Sequence, residues 1–99
     1  MQYKIVFQPR AIFEIQNSID YYDDKQIGLG ELFYIELFEF IDAISENPFY
    51  KIHTNNIRIL PLSKFPFVIF YWIEESEKVA YIEAVFHTSQ NTSKYPNKT

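Results

Sequence analysis

Four side chains in the second half of the sequence have types suited to chemistry: Arg58, Lys64, His87 and Tyr95. A guanidinium such as Arg58 can clamp a phosphate with two parallel hydrogen bonds, and an imidazole such as His87 exchanges protons near neutral pH. Lys64 would add a point charge and Tyr95 a hydroxyl. Each also has an ordinary structural role. Arg58 can ion-pair with a carboxylate on a sheet surface, His87 can close a strand against backbone, Lys64 can be solvated loop charge, and Tyr95 can pack the tail. With no cysteine there is no disulfide framework and no thiolate site, and His53 and His87 alone are too few for a zinc centre. A glycine-rich phosphate loop is also absent, so neither a metal nor a nucleotide cofactor is expected.

The elements that must position these groups can be read from hydrophobic periodicity. Tyr3, Ile5 and Phe7 alternate as in a half-buried strand. Pro9 suits the first turn of a helix, where its missing N–H costs nothing. Ile12, Ile15, Ile19 and Tyr22 then recur every three or four residues, one stripe of an amphipathic helix. Gly28 and Gly30 interrupt that stripe and read as a short connection able to take positive φ. Phe33, Leu37, Ile41 and Ile44 form the face of a second helix, with Glu36 and Glu39 off it. Asn47-Pro48 ends that helix, because the residue before a proline is pushed out of the α region. Residues 49–56 read as a loop. Strands follow at Ile57 to Leu60, Phe65 to Glu74 and Lys78 to Phe86, the last two joined by the turn Glu75-Ser76-Glu77. The segment from Thr88, residues 88–99, reads as a mobile tail on a single domain spanning 1–99.

The order strand, helix, helix, three strands predicts an α+β fold: a four-stranded antiparallel sheet with a helical hairpin on one face. In the last strand Ala80, Ile82, Ala84 and Phe86 form one row, small enough in places for helices to approach. Val79, Tyr81, Glu83, Val85 and His87 form the other, expected to be open. The preceding strand is apolar on both sides, with Phe67, Ile69, Tyr71 and Ile73 on one and Val68, Phe70 and Trp72 on the other. Two helices cover one face only. Phe67, Ile69 and Tyr71, with Tyr81 and Glu83, are therefore expected to meet the tail, a partner protein or a second copy of the chain.

Composition limits the alternatives. At 99 residues the chain is one domain and buries only about two-thirds of its unfolded surface, so it needs dense apolar residues. It has them, at 47% hydrophobic and 19% aromatic, which excludes a disordered acidic tail. Met1 to Phe7 has no long apolar run, so neither a secretory signal nor a membrane span is expected and the cytoplasm is the expected location. The net charge of −4 is unevenly spread. Residues 11–46 hold nine acids against Lys25, giving 1 − 9 = −8, and leave −4 + 8 = +4 for the rest. The acidic helical layer and the mildly basic remainder should form different faces.

Ile57-Arg58, Leu62, Lys64-Phe65-Pro66-Phe67, Ile69, Tyr71 and Ile73, then Val79, Ile82 and Ala84-Val85-Phe86-His87, resemble the C-terminal half of the RelE/ParE family of bacterial toxins. Ala11, Tyr21-Tyr22 and Gly28-Leu29-Gly30 before Phe33 fit as well, so the resemblance runs from Tyr3 to Asn91. After His87 the family often has an arginine, an asparagine, a proline and a later aromatic, where this sequence has Gln90, Asn91, Thr92 and Tyr95. The resemblance implies the toxin of a type II toxin–antitoxin (plasmid stabilisation) pair, neutralised by a cognate antitoxin. Its target would be DNA gyrase in the ParE-like branch, or mRNA in the ribosome in the RelE branch. Metal-free RNA cleavage needs a base, an acid and cations around the phosphorane, and Arg58, Lys64, His87 and Tyr95 are the residues the resemblance offers. The absent arginine, the acidic total and Glu83 on the expected His87 face all argue for a toxin that acts by binding protein. The alternatives are the nuclease and a non-toxic interaction domain that keeps the fold.

Overall fold

The computed structural model describes residues 2–89. Its elements are β1 (Lys4–Phe7), α1 (Pro9–Lys25), α2 (Leu29–Glu46), β2 (Ile52–Thr54), β3 (Ile57–Pro61), β4 (Phe67–Glu74) and β5 (Val79–His87). The α+β class and the helical hairpin are as the sequence predicts. Pro9 opens α1 after an extended Gln8. Gly28 takes φ 88° at the start of α2, a left-handed conformation that costs glycine little. Asn47 leaves the helix in an extended conformation just before Pro48.

The sheet has five strands in the order β1-β5-β4-β3-β2, and β1 runs parallel to β5. Two expectations are corrected here. First, β2 forms inside the predicted loop 49–56 and pairs antiparallel with β3 across a turn in which Asn55 takes φ 48°. Asparagine tolerates that left-handed position better than most residues. Second, the hairpin returns the chain to the start of β1 rather than to its end. Tyr3 N–H donates to the Ser45 carbonyl at 2.8 Å, and Ser45 Oγ donates to the Tyr3 carbonyl at 2.7 Å, so the end of α2 is fastened to the residue before β1. The meander β3-β4-β5 therefore sets out from the same side as β1, and its third strand is parallel to it. Beyond Phe7, where β1 ends opposite Ile82, α1 takes over that edge of β5. Glu14 Oε1 accepts the Val85 N–H at 2.8 Å, so a carboxylate stands where a strand carbonyl would be.

The expected face assignment fails at a β-bulge. Phe70 pairs with Ala84 but Tyr71 pairs with Ile82, which leaves Glu83 as an extra residue in β5. One extra residue inverts the alternation beyond it. Ala80 and Ile82 face the helices as predicted, but so does Val85, in one core with Phe67, Ile69, Tyr71, Phe33 and Leu37. Ala84 and Phe86 turn to the other face, with Ile57 and Phe70. Phe67, Ile69 and Tyr71 thus lie buried beneath the hairpin and not on an uncovered face.

The helix-side core is densest at one end. Tyr22, Phe33, Phe65 and Phe67 form an aromatic cluster with the Phe33 and Phe67 centroids 4.8 Å apart and the Tyr22 and Phe65 centroids 5.0 Å apart. Burying each such ring contributes about 1.5–3 kcal/mol, which fixes that end of α1 against the start of β4. Glu36, expected off the apolar face of α2, is only 4% exposed. Its carboxylate accepts the backbone N–H of Lys64 at 2.8 Å and of Phe65 at 3.2 Å, and so ties the β3–β4 loop to α2. A buried carboxylate is tolerable because these donors replace its water.

Candidate functional site

The described candidate residues fall into three places. At the far end of β5, beside the β3–β4 loop, stand His87 and Lys64. His87 packs edge-on against Phe67, with centroids 5.1 Å apart. Its Nδ1 accepts the Ser89 N–H at 3.0 Å and lies 2.6 Å from Ser89 Oγ. A nitrogen accepting a backbone N–H carries no hydrogen, so the neutral ring is the Nε2–H tautomer. Thr88 N–H donates to the Pro66 carbonyl, which joins the end of β5 to the loop bearing Lys64. Around His87, the side chains of Asn17, Ser18 and Tyr21 from α1 complete a groove of about 440 Å³ with Phe67 and Ser89. Tyr21 is 54% exposed there, and the Lys25 ammonium lies 5.1 Å from its ring centre.

Arg58 is elsewhere. It pairs in register with Tyr71, whereas His87 pairs with Phe67. Four residues along β4 separate the two sites, about 13 Å of strand. Arg58 Nη1 donates to the Tyr50 carbonyl at 2.7 Å, and its guanidinium lies 5.4 Å from the Phe49 ring centre. Below it, the buried Tyr71 hydroxyl donates to the Pro48 carbonyl at 2.6 Å. Burial pushes that hydroxyl up to about 12, against smaller opposing effects from the Tyr50 backbone and the Arg58 charge. Together these contacts fold the segment after α2 onto the sheet.

Tyr81 and Glu83 occupy the third place, on the sheet face away from the hairpin. Trp72 stacks on Tyr81 at 4.3 Å between centroids, and Trp72 Nε1 donates to Glu83 Oε1 at 2.9 Å. The expectation that Glu83 and His87 share a face is corrected, because the bulge at Glu83 puts them on opposite sides. Tyr95, with Gln90, Asn91 and Thr92, lies outside the described residues. Sequence reading missed Asn17, Ser18, Tyr21 and Ser89. Asn17 and Tyr21 share a helix face at i, i+4 spacing, which was readable, but nothing local tied that face to His87.

No family model and no curated protein matches the sequence. Solved structures do. The chain is similar to one from the chromosomal ParDE toxin–antitoxin system of P. aeruginosa, with a TM-score of 0.77 at 12% identity over 89% of this chain and 98% of that one. It has the RelE/ParE toxin fold. The isolated E. coli RelE toxin superposes with a TM-score of 0.67 at 15% identity, covering 92% of this chain and 89% of RelE. The archaeal RelE–RelB complex from Pyrococcus horikoshii gives 0.59 at 13% identity, covering 92% and 100%. Within the RelE/ParE fold, this chain places Arg58 and His87 at different ends of the sheet, with buried Ile69 and Val85 between their rungs.

Proposed function

We propose that the chain is the toxin of a type II toxin–antitoxin pair, acting in the cytoplasm by binding a protein target such as DNA gyrase and neutralised by a cognate antitoxin. The observation that carries the class is the RelE/ParE fold along nearly the whole chain. Three of the similar structures are complexes of a RelE chain with RelB or a RelB peptide, which supports an antitoxin partner. The preference for a protein target rests on Arg58, which is engaged with Tyr50 and Phe49 and stands about 13 Å of strand from His87. Stabilising a phosphorane needs cation and proton donor around one phosphorus. The competing reading, a ribosome-dependent mRNA endonuclease, is favoured by the groove that sets Tyr21 and Ser89 beside His87.

Expression of the chain alone in a bacterium should slow growth, and co-expression of the adjacent gene should restore it. Purified chain should then inhibit gyrase supercoiling and leave mRNA on translating ribosomes intact. Codon-specific cuts abolished by His87→Ala would transfer the assignment to the nuclease, and normal growth at high soluble expression would leave only an interaction domain with this fold.

A further inference from the structure

Among the apolar side chains that the fold leaves in solvent, Ile12, Phe13, Leu32, Tyr34 and Ile35 lie on the acidic helices. A separate group stands at the β2 edge of the sheet. Phe49, Tyr50 and Ile52 are 51%, 36% and 52% exposed, in the segment that leads from α2 into β2. Ile52 pairs in register with Arg58, which places the two side chains next to each other on one face. The Arg58 guanidinium lies 5.4 Å from the Phe49 ring centre, so Phe49, Arg58 and Ile52 form one strip. The strip is also held in place. Phe49 N–H donates to Asn47 Oδ1 at 3.2 Å, its ring meets the Tyr3 ring edge-on at 6.1 Å, and the carbonyls on either side of it, at Pro48 and Tyr50, accept from Tyr71 and Arg58. Side chains fixed before binding lose little freedom in a complex.

Charge narrows what the strip can meet. No aspartate or glutamate occurs from residue 47 to residue 73, a run that holds Lys51, Arg58 and Lys64. Glu46, just before it, accepts the Gln2 side-chain amide at 2.7 Å. The strip is thus apolar and cationic on a chain of net −4, the reverse of the helices. A second copy presenting the same strip would bring like charges together. Nucleic acid fits poorly as well, because the Arg58 fork is turned to the Tyr50 carbonyl and a phosphate backbone is followed by a row of cations. Aromatic residues and arginine are instead the side chains that anchor protein–protein interfaces. Positive potential around an apolar strip selects a protein surface with carboxylates around an apolar pocket.

We propose that this strip is the surface by which the chain holds its protein target, and that the target meets it with an apolar pocket rimmed by carboxylates. The assignment rests on the reading above of a toxin that acts by binding protein. Phe49 and Ile52 enter the pocket, while Lys51 and the Arg58 guanidinium meet the carboxylates at its rim.

The test expresses the full chain in a bacterium as wild type, as Phe49→Ala with Ile52→Ala, and as Lys51→Glu, all at exposed positions. The wild type should arrest growth, and at equal soluble expression neither variant should. Both purified variants should keep the wild-type urea midpoint and bind the adjacent gene product as the wild type does, which separates a lost surface from a lost fold. With purified gyrase as the probe, labelled wild-type chain should bind with an affinity that falls as salt rises. Both variants should bind at least about tenfold more weakly, while Lys51→Arg and the helix-surface control Leu32→Ala should match the wild type. Arrest that the variants lose without any wild-type binding to gyrase keeps the surface and replaces the target. Variants that arrest growth like the wild type overturn the inference and leave the toxin reading standing. Loss of arrest together with loss of binding to the adjacent gene product overturns it too, since the strip would then serve the fold or the antitoxin. A dimer in sedimentation that the double variant dissolves overturns it in favour of a second copy, and mRNA cleavage on ribosomes that Lys51→Glu abolishes overturns it in favour of RNA. A wild-type chain that neither slows growth nor binds gyrase brings down the protein-binding toxin reading, and this inference with it.

Discussion

Arg58 and Tyr71 show how polar side chains in this protein stabilise a segment that has no regular structure. The chain after α2 must cross from Asn47 to β2 over the sheet, and its carbonyls at Pro48 and Tyr50 take their hydrogen bonds from Tyr71 and Arg58. Arg58→Ala should therefore lower stability by about 1 kcal/mol, the usual net worth of one hydrogen bond at a half-exposed site, seen as a lower urea midpoint. Its effect on a gyrase-binding activity should stay within about 1–3 kcal/mol. A hundredfold or larger fall in an RNA-cleavage rate at unchanged stability would instead make Arg58 part of a catalytic set. Tyr71 supplies a pH test. Its hydroxyl is held up to about 12 by burial, whereas an unfolded tyrosine loses its proton near 10. The native state then binds the proton more tightly. The stability that depends on neutral Tyr71 is complete below about pH 10 and is lost as pH rises toward about 12. Tyr71→Phe should be less stable near neutrality by about 1–3 kcal/mol, because the Pro48 carbonyl is left without its donor. Its stability should also decline less steeply across that window. Parallel urea midpoints of the two proteins through the alkaline range would count against this account.

At the scale of elements, the hairpin depends on one close approach. A Cβ at Gly30 would lie 2.6 Å from the Ile19 carbonyl oxygen and 2.7 Å from Asp23 Oδ1. Backbone cannot give way as a side-chain tip can, so Gly30→Ala should force α1 and α2 apart and cost about 1–3 kcal/mol, read as a lower melting temperature. A wild-type value would mean the hairpin is looser than the structure describes. The sequence signalled that glycine, but as part of a turn, since periodicity cannot distinguish a flexible link from a helix contact. The helices, β3, β4 and β5 were legible because each buries one periodic face. Three features were not. The strand β2 is three residues long, too short for any alternation to register. The parallel pairing of β1 with β5 follows from where α2 ends, which the hydrogen bonds between Tyr3 and Ser45 decide across 42 positions of sequence. The bulge at Glu83 inverted the reading of Val85, Phe86 and His87, and with it the expected neighbours of His87, because an extra residue leaves no mark in an apolar run. Glu36 escaped for a related reason. A carboxylate in the i+3 position of Phe33 reads as surface until the loop whose N–H groups it accepts is known.

The distribution of charge over the whole molecule bears on the target. The two helices carry nine acids against Arg10 and Lys25, a formal charge of 2 − 9 = −7, Glu74, Glu75 and Glu77 crowd the β4–β5 turn, and the cations Lys51, Arg58 and Lys64 are dispersed over the segment before β2, β3 and the β3–β4 loop. Proteins that grip nucleic acid gather lysine and arginine into a continuous track, and each neutralised phosphate steepens the fall of affinity with salt. Here the Arg58 fork is turned to the Tyr50 carbonyl, and Lys64 and Lys25 stand near the far end with Tyr21 between acidic neighbours Asp20 and Asp24. Among the described residues, cations dispersed in this way against a net −4 should not hold an RNA strand. A labelled single-stranded oligoribonucleotide should therefore show no saturable binding to the purified chain up to about 100 μM at physiological salt, at the weak end of non-specific affinities, and lowering the salt should reveal little. Micromolar binding that weakens steeply with salt would mean that a basic track exists after all. The nuclease reading would then regain the footing that the separation of Arg58 from His87 denies it.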